Sequence, residues 1–251
     1  MFSIVIPMFN ASETILKTLE SCTNQSFLPK EIILIDDRSS DDSYAVVQKW
    51  KANYSGELEI IIESLEKNSG PSKARNRGWE LASGEYIAFL DADDFFTDNK
   101  LDKIKDILNT NKEIVLLGHS YGMDTKVQDE SNSLKHLHTI DFLMKNHFTT
   151  SAVIVQKKIK ERFDETMRYT EDQDLFLRVT QKYNRTYALG QTLVLRTRAM
   201  NEVGGLSGNL WEMRKGEIEM YRKYCKRNKS MLLFPLFASF SLSKHFIKMI
   251  K

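Results

Sequence analysis

Short runs of continuous apolar residues alternate with segments whose apolar positions recur every three or four residues, and this alternation organises the first half of the chain. "FSIVIP" is the first run. A helical pattern follows it, with Asn10 and Glu13 at capping-box spacing and Ile15, Leu16, Leu19 and Cys22 on one face. "EIILIDD" predicts a second strand, then come a helix from about Asp41 to Trp50, the strand "LEIIIESL", a helix from about Ser72 to Ala82, and the strand "EYIAFLDAD". Ile, Leu and Val fill nearly every strand position instead of alternate ones, which implies burial on both faces. The expected architecture is α/β: a mainly parallel central sheet flanked by helices, in βαβαβαβ order. A helix holding Leu101, Ile104 and Leu108 leads to "EIVLLGH". A polar stretch, 120–138, precedes "SAVIVQ", a helix from about Glu171 to Tyr183, and "TLVLRTR".

Composition narrows the class. With 251 residues and 41% hydrophobic content the chain can build one large core or two small ones, which excludes a disordered protein. Cys22 and Cys225 have no motif spacing, so neither a disulfide framework nor a zinc site is expected, and a reducing cytosol fits. The start, "MFSIVIPMFN", lacks the features of a signal peptide, and no apolar run reaches the roughly 18 residues that span a bilayer. The expected location is cytoplasmic.

Charge adds a second division. The net charge of +2 conceals eight Lys or Arg and no Asp or Glu in residues 220–251, which leaves 2 minus 8, or −6, for residues 1–219. Basic residues on both sides of an apolar stretch suit peripheral contact with an anionic membrane, at the inner face of the cytoplasmic membrane. A terminal helix pair packed on the domain suits the same pattern. Residues 1–209 are therefore expected to form the main domain, with a nucleotide-binding half (1–119) and a second half built against it (120–209), and residues 210–251 an extension.

Two strands end in clustered acids, "LIDD" and "FLDADD". In open parallel sheets ligands collect at the carboxyl ends of the strands. No GxGxxG or GxxxxGK[ST] loop follows either strand, which disfavours a dinucleotide dehydrogenase or a P-loop kinase. Asp91 and Asp93, two apart as the strand ends, offer hard oxygen ligands to Mn²⁺ or Mg²⁺, and a metal so held can clamp a diphosphate. Acids after a strand are also ordinary turn formers.

Five segments, in order, carry a resemblance: "SIVIPMFN", "LIDDRSSDDS", "NSGPSKARNRG", "FLDADD" and "TEDQDLFLR". Together they resemble the motifs of family 2 glycosyltransferases of the GT-A fold. Arg38 departs from the pattern, which commonly has glycine there. The resemblance implies an inverting, metal-dependent enzyme that moves a sugar from a nucleotide diphosphate sugar, a UDP-sugar for preference, to a saccharide or lipid-linked saccharide in surface polysaccharide synthesis. It implies donor contacts at Pro7, Asn10, Asp37, Gly70, Arg75 and Asp91. Asp37 would accept a hydrogen bond from the base, and Arg75 would lie near base or phosphates unless it is a solvated helix residue. Metal ligation falls to Asp93 with Asp91, catalysis to Asp172 as general base with Glu171 orienting the site, and diphosphate contact to Arg196 or Arg198. Gly204, Gly205 and Gly208 suit either a lid or a plain linker.

Thr170 and Gln173 stand at capping-box spacing, which would place Asp172 in a first helical turn, where the dipole favours its anion and weakens it as a base. The acids 171, 172 and 174 could equally be first-turn residues that only favour the helix start. His119, His136, His138 and His147 show no metal spacing. A catalytically silent nucleotide-sugar scaffold and a nucleotidyltransferase remain as alternatives, although the latter calls for a glycine-rich basic loop where this chain has "PMFNASE". Nucleic acid is not expected as a partner, because the basic residues sit in an apolar tail without an aromatic stacking platform.

Overall fold

The structure, a computed structural model, describes residues 1–123, 129–197 and 208–250. Strands β1 (Phe2–Met8), β2 (Glu31–Asp36), β3 (Glu59–Ser64) and β4 (Tyr86–Phe89) are joined by helices α1 (Ile15–Thr23), α2 (Ser43–Asn53) and α3 (Pro71–Leu81). The chain continues through β5 (Asp94–Phe96), α4 (Lys100–Thr110), β6 (Leu116–Met123), β7 (Asp129–Leu137), α5 (Thr139–Met144), β8 (Val153–Gln156), α6 (Glu171–Tyr183), β9 (Thr186–Arg196), α7 (Leu210–Arg227) and α8 (Phe234–Ile250).

The sheet order is β3-β2-β1-β4-β8-β6-β9-β5, with β7 also paired to β9. Strands β1, β2, β3, β4, β6 and β9 run one way, and β5, β7 and β8 the other. Six of the nine described strands thus share one direction and the block β3-β2-β1-β4 is wholly parallel, while over the whole sheet the described pairings divide evenly, four parallel and four antiparallel; every residue of β2 is buried. The inversion comes from β8, inserted antiparallel between β4 and β6. Its "VIVQ" is as continuously apolar as the parallel strands, so the pattern carries no sign of direction.

Alternate residues of the strands feed two cores. Phe2, Ile4, Ile6 and Met8 meet Ile15 and Leu19 of α1, while Val5, Ile33 and Ile35 meet Ala74 and Trp79 of α3. A Cβ on Gly78 would lie 2.4 Å from the Val5 side chain, so glycine sets how closely α3 lies on β1. The order reverses at β1, whose neighbours are β2 and β4. Connections diverge there and open a crevice at the carboxyl ends of the strands.

Two local expectations are corrected. Helix α1 begins at Ile15 behind Thr14 with no side-chain cap, and Asn10 instead sits at φ 49, its Oδ1 accepting the Ser40 N–H at 2.8 Å. Leu16 is 40% exposed, and Thr18 takes the buried place, donating to the Ala92 and Asp94 carbonyls at 3.0 and 2.8 Å. The hydroxyl is useful there because it ties the helix to the acidic turn.

The terminal helices join the second core through Met220 and Tyr221. Asp174, fully buried, accepts from Arg178 Nε at 2.7 Å and from Arg227 Nη2 at 2.9 Å, and so fastens α7 to α6.

Candidate active site

The loops after β1, β2 and β3 form one wall of the crevice. Asp37 follows β2 and is 3% exposed. Its Oδ1 accepts the Ser69 N–H and its Oδ2 the Gly70 N–H, both at 2.7 Å, while its own N–H reaches the Met8 carbonyl at 2.8 Å. The aspartate therefore clips three loops together. Burial raises its pKa despite the two amide bonds. Each carboxylate oxygen keeps a further lone-pair direction for an N–H donor. Gly70 has φ 89, a conformation that favours glycine, and a Cβ there would touch nothing within 4 Å. The demand is on the backbone, and the space beside it is open. Pro7 pairs with Ile35 in the sheet, and Asn10 packs on the Ser39–Ser40 loop through Oδ1 and its own N–H.

Asp91 and Asp93 do not extend a strand, so the strand alternation that would have pointed both to one side does not apply. They occupy a β-turn closed by the Asp94 N–H on the Asp91 carbonyl at 3.1 Å. Backbone groups fix this turn. Thr14 and Thr18 donate to the Ala92 carbonyl at 2.8 and 3.0 Å, Thr197 donates to the Asp93 carbonyl at 2.6 Å, and the Asp91 N–H reaches Ser151 Oγ at 3.0 Å. The third acid faces inward: Asp94 is 2% exposed, near Arg196 at 3.7 Å, and burial followed by the Asp91 charge pushes it up to about 7. Beneath it Lys100, fully buried, donates to the Ser151 carbonyl at 2.9 Å. Burial holds Lys100 well below its ordinary pKa, and burial with the Lys100 charge does the same to His119.

The opposite wall is the start of α6. Thr170, β-branched, is held at φ 58, an uncommon conformation that marks stored strain. No capping box forms there: Thr170 makes no cap bond, and Gln173 donates its side-chain amide to the Phe142 carbonyl at 2.6 Å. Glu171 is drawn inward, 8% exposed, and pushed up to about 7 by burial and then by Asp172, against the pull of Arg75. Asp172 lies nearer the surface. Its Oδ1 accepts the Gln173 N–H at 2.7 Å and its Oδ2 the Asn146 amide at 2.9 Å. Burial outweighs these bonds and raises its pKa, which offsets the weakening by the helix dipole.

Arg75 joins the walls. Its Nη2 donates to Asp91 Oδ1 at 2.8 Å and its Nη1 to Glu171 Oε1 at 3.0 Å, so residues from α3, the acidic turn and α6 meet on one guanidinium. At 5% exposure it is not a solvated helix arginine. Burial alone would lower its pKa, but Asp91 and Glu171 raise it and keep it charged.

Among the described residues no three His, Cys, Asp or Glu are placed to hold a metal by themselves. Asp91 and Asp93 nevertheless suit a hard divalent cation of the kind that binds through one or two carboxylates and completes its shell with phosphate oxygens and water. Arg198, Gly204 and Gly205 lie outside the described residues, and Arg196 turns toward Asp94. The sequence reading missed Asn146, Ser151 and Lys100, which stand outside any motif and reach the site only through folding. The neighbouring Asp174 is one of the acids that serves structure.

A model of the family described as "Glycosyl transferase family 2" matches residues 3–163. The chain is 28% identical over 229 residues to the putative teichuronic acid biosynthesis glycosyltransferase TuaG of Bacillus subtilis, covering 88% of this chain and 87% of that one. It is 36% identical over 110 residues to the UDP-Glc:alpha-D-GlcNAc-diphosphoundecaprenol beta-1,3-glucosyltransferase WfaP of Escherichia coli, covering 44% and 42%. The first curated relatives it matches are covered over less than two thirds of their length, at 63%, 33% and 46%. Among solved structures, S. aureus TarS 1–349 in complex with UDP-GlcNAc aligns with a TM-score of 0.73 at 20% identity, over 98% of this chain and 72% of that one, a likeness of fold.

Proposed function

The chain belongs to glycosyl transferase family 2, and on that premise we propose that it transfers a sugar from a UDP-sugar to a hydroxyl of a saccharide or lipid-linked saccharide, with inversion, in envelope polysaccharide synthesis. The observation that carries this reading is the Arg75 bridge, which brings the acidic turn and the α6 carboxylates into one crevice. The names of the relatives TuaG and WfaP support the acceptor class, and that of WfaP the UDP donor. A peripheral position at the inner face of the membrane goes with a lipid-linked acceptor and belongs to the same reading. No helix among the described residues is long and apolar enough to cross a bilayer.

In this mechanism Asp37 accepts the base N–H on the free lone pairs of its clipped carboxylate. Pro7, Asn10 and Gly70 line the nucleotide. Asp93 and Asp91 would hold Mn²⁺ or Mg²⁺, which when bound supplies charge to stabilise the departing diphosphate. Asp172 takes the acceptor hydroxyl proton as the hydroxyl oxygen bonds to the anomeric carbon and the bond to the diphosphate breaks. Its raised pKa makes it a better base than an exposed aspartate, and Asn146 orients the carboxylate. Glu171, tied to Arg75, positions the site. Arg198 remains a diphosphate contact of this proposal.

Calorimetric titration with UDP-, GDP- and CDP-sugars, with and without Mn²⁺, tests the reading on the native chain and on Asp93→Ala. Metal-dependent binding of UDP-sugar that disappears in the variant is expected. Absence of binding by any nucleotide sugar would overturn the transferase reading, binding without transfer would return the scaffold alternative, and binding indifferent to metal and to Asp93 would remove the metal from the mechanism.

A further inference from the structure

Helices α7 and α8 form a hairpin whose inner face is committed to the domain. Met220, Tyr221 and Cys225 are fully buried, Phe234, Phe237 and Phe240 pack against the second core, and the Tyr221 and Phe237 rings stack at 5.0 Å. Glu217, 3% exposed, accepts from Ser241 at 2.6 Å and pairs with Arg214 and Lys244, which locks α8 onto α7. The packed-helix and membrane-facing readings of the basic tail therefore apply to different faces of it.

The tip of the hairpin is built otherwise. A single 3₁₀ turn, Met231–Leu233, connects the helices, and Leu232 is 97% exposed, Leu236 71%, Leu233 49% and Met231 47%. Four large apolar side chains thus project together from one short segment, where scattered exposure would need no explanation. Just before them stand Lys226 and Lys229, both exposed and with no carboxylate partner among the described residues. Residues 220–250 contain no acid at all.

We propose that this tip is a docking surface for an anionic lipid bilayer: Met231, Leu232, Leu233 and Leu236 enter the headgroup and acyl boundary while Lys226 and Lys229 meet lipid phosphates. Two features of the tip select a bilayer over a protein. A side chain that is almost entirely exposed lines no groove, so there is no shaped complement for a partner to fill, and a fluid interface needs none. Lys226 and Lys229, exposed beside the apolar tip and without carboxylate partners among the described residues, are attracted to a negative surface. The hairpin stays folded on the domain, because its aromatic face is already occupied, and only the turn and the exposed Leu236 just after it insert. This deepens the peripheral placement proposed above and is independent of which sugar moves.

The test is co-sedimentation of the full chain with vesicles of phosphatidylcholine alone and of phosphatidylcholine with phosphatidylglycerol. The expected result is binding to the anionic vesicles that falls at least about tenfold in Leu232→Ser/Leu236→Ser and in Lys226→Glu/Lys229→Glu, and that weakens with salt. These exposed positions lie outside the donor site, so UDP-sugar titration in solution should be the same for all three proteins and verifies their folding. Unchanged vesicle binding in the leucine variant, or equal binding to neutral vesicles, would overturn the proposal. So would a dimer in sedimentation velocity that the leucine variant abolishes without any vesicle binding. Loss of UDP-sugar binding in the native chain would count against the transferase reading and leave the vesicle result standing.

Discussion

The acidic turn after β4 and the start of α6 present carboxylates to one crevice and hold them in opposite ways. In the turn, hydroxyls from Thr14, Thr18 and Thr197 and the Asp94 amide secure backbone carbonyls. At α6 the carboxylates themselves are held: Arg75, which also reaches Asp91, binds Glu171, and Asp172 accepts from Asn146 and from the Gln173 N–H, next to a strained Thr170. A turn fixed by its backbone suits the role proposed for it, in which its carboxylates keep their place while a metal and diphosphate bind and leave. Carboxylates fixed by neighbours in a buried setting have a basicity that those neighbours tune.

The largest effect should come from the tuned side. Asp172→Asn keeps the Gln173 and Asn146 neighbourhood but removes the proposed proton acceptor, and transfer should fall about 10³-fold, roughly 4 kcal/mol, with UDP-sugar affinity unchanged. Single-turnover kinetics beside calorimetry separates the two. Full transfer by this variant would move the base elsewhere and erase the contrast between the two walls.

Removing the bridge should follow closely. Arg75→Met leaves Asp91 and Glu171 without their shared cation in a site where Arg75 is 5% exposed, and loss of one partner of a buried pair costs about 3–5 kcal/mol. Chemical denaturation measures it. Arg75→Lys should recover only part, since one ammonium lacks the planar fork that reaches both walls. A neutral result for Arg75→Met would mean that the walls are held apart from the bridge.

The legibility of the two walls differed for the same physical reason. Strands β1 to β4, Asp37 and the acidic turn are local in sequence, and their apolar runs and clustered acids can be read directly. What the acids do could not: Asp93 and Asp94 are adjacent, yet Asp94 is buried toward Arg196 and Lys100, elements that only the sheet order brings near. Thr170 and Gln173 had the spacing of a capping box, but Thr170 stands at φ 58 without a cap bond and Gln173 reaches α5. Asn146 is invisible in sequence because its importance is one hydrogen bond across 26 positions.

Acidity offers a milder probe. The Glu171 carboxyl, ordinarily at 4.5, is raised to about 7 by burial, so the unfolded chain releases its proton first as pH climbs. Between pH 4.5 and 7 the unfolded state binds fewer protons, and stability falls with rising pH, by up to about 3 kcal/mol from this group. The contribution is fully present below 4.5. Glu171→Gln, which keeps an acceptor for Arg75, should flatten the change in denaturation midpoint between pH 5 and pH 8. An identical slope in the variant would assign the titration to another group, with Asp94, also raised to about 7, the first to test.

The smallest effect sharpens the comparison at the donor wall, where strain can be relieved without touching an acid. Arg38 stands where the family pattern has glycine and adopts φ 62, the left-handed region in which a Cβ crowds the following carbonyl. Its side chain is exposed. Arg38→Gly should therefore relieve about 1–2 kcal/mol of crowding and lose roughly 0.5–1 kcal/mol to the added freedom of the unfolded chain, for a net stabilisation of about 0.5–1 kcal/mol. It should leave UDP-sugar affinity within about twofold if the loop holds the base through Asp37 and its amide clips, since 0.4 kcal/mol corresponds to that factor. A variant that is more stable but binds donor much more weakly would show that Arg38 is a donor contact whose conformational cost the site retains, and the donor wall would then be tuned by a side chain as the α6 wall is.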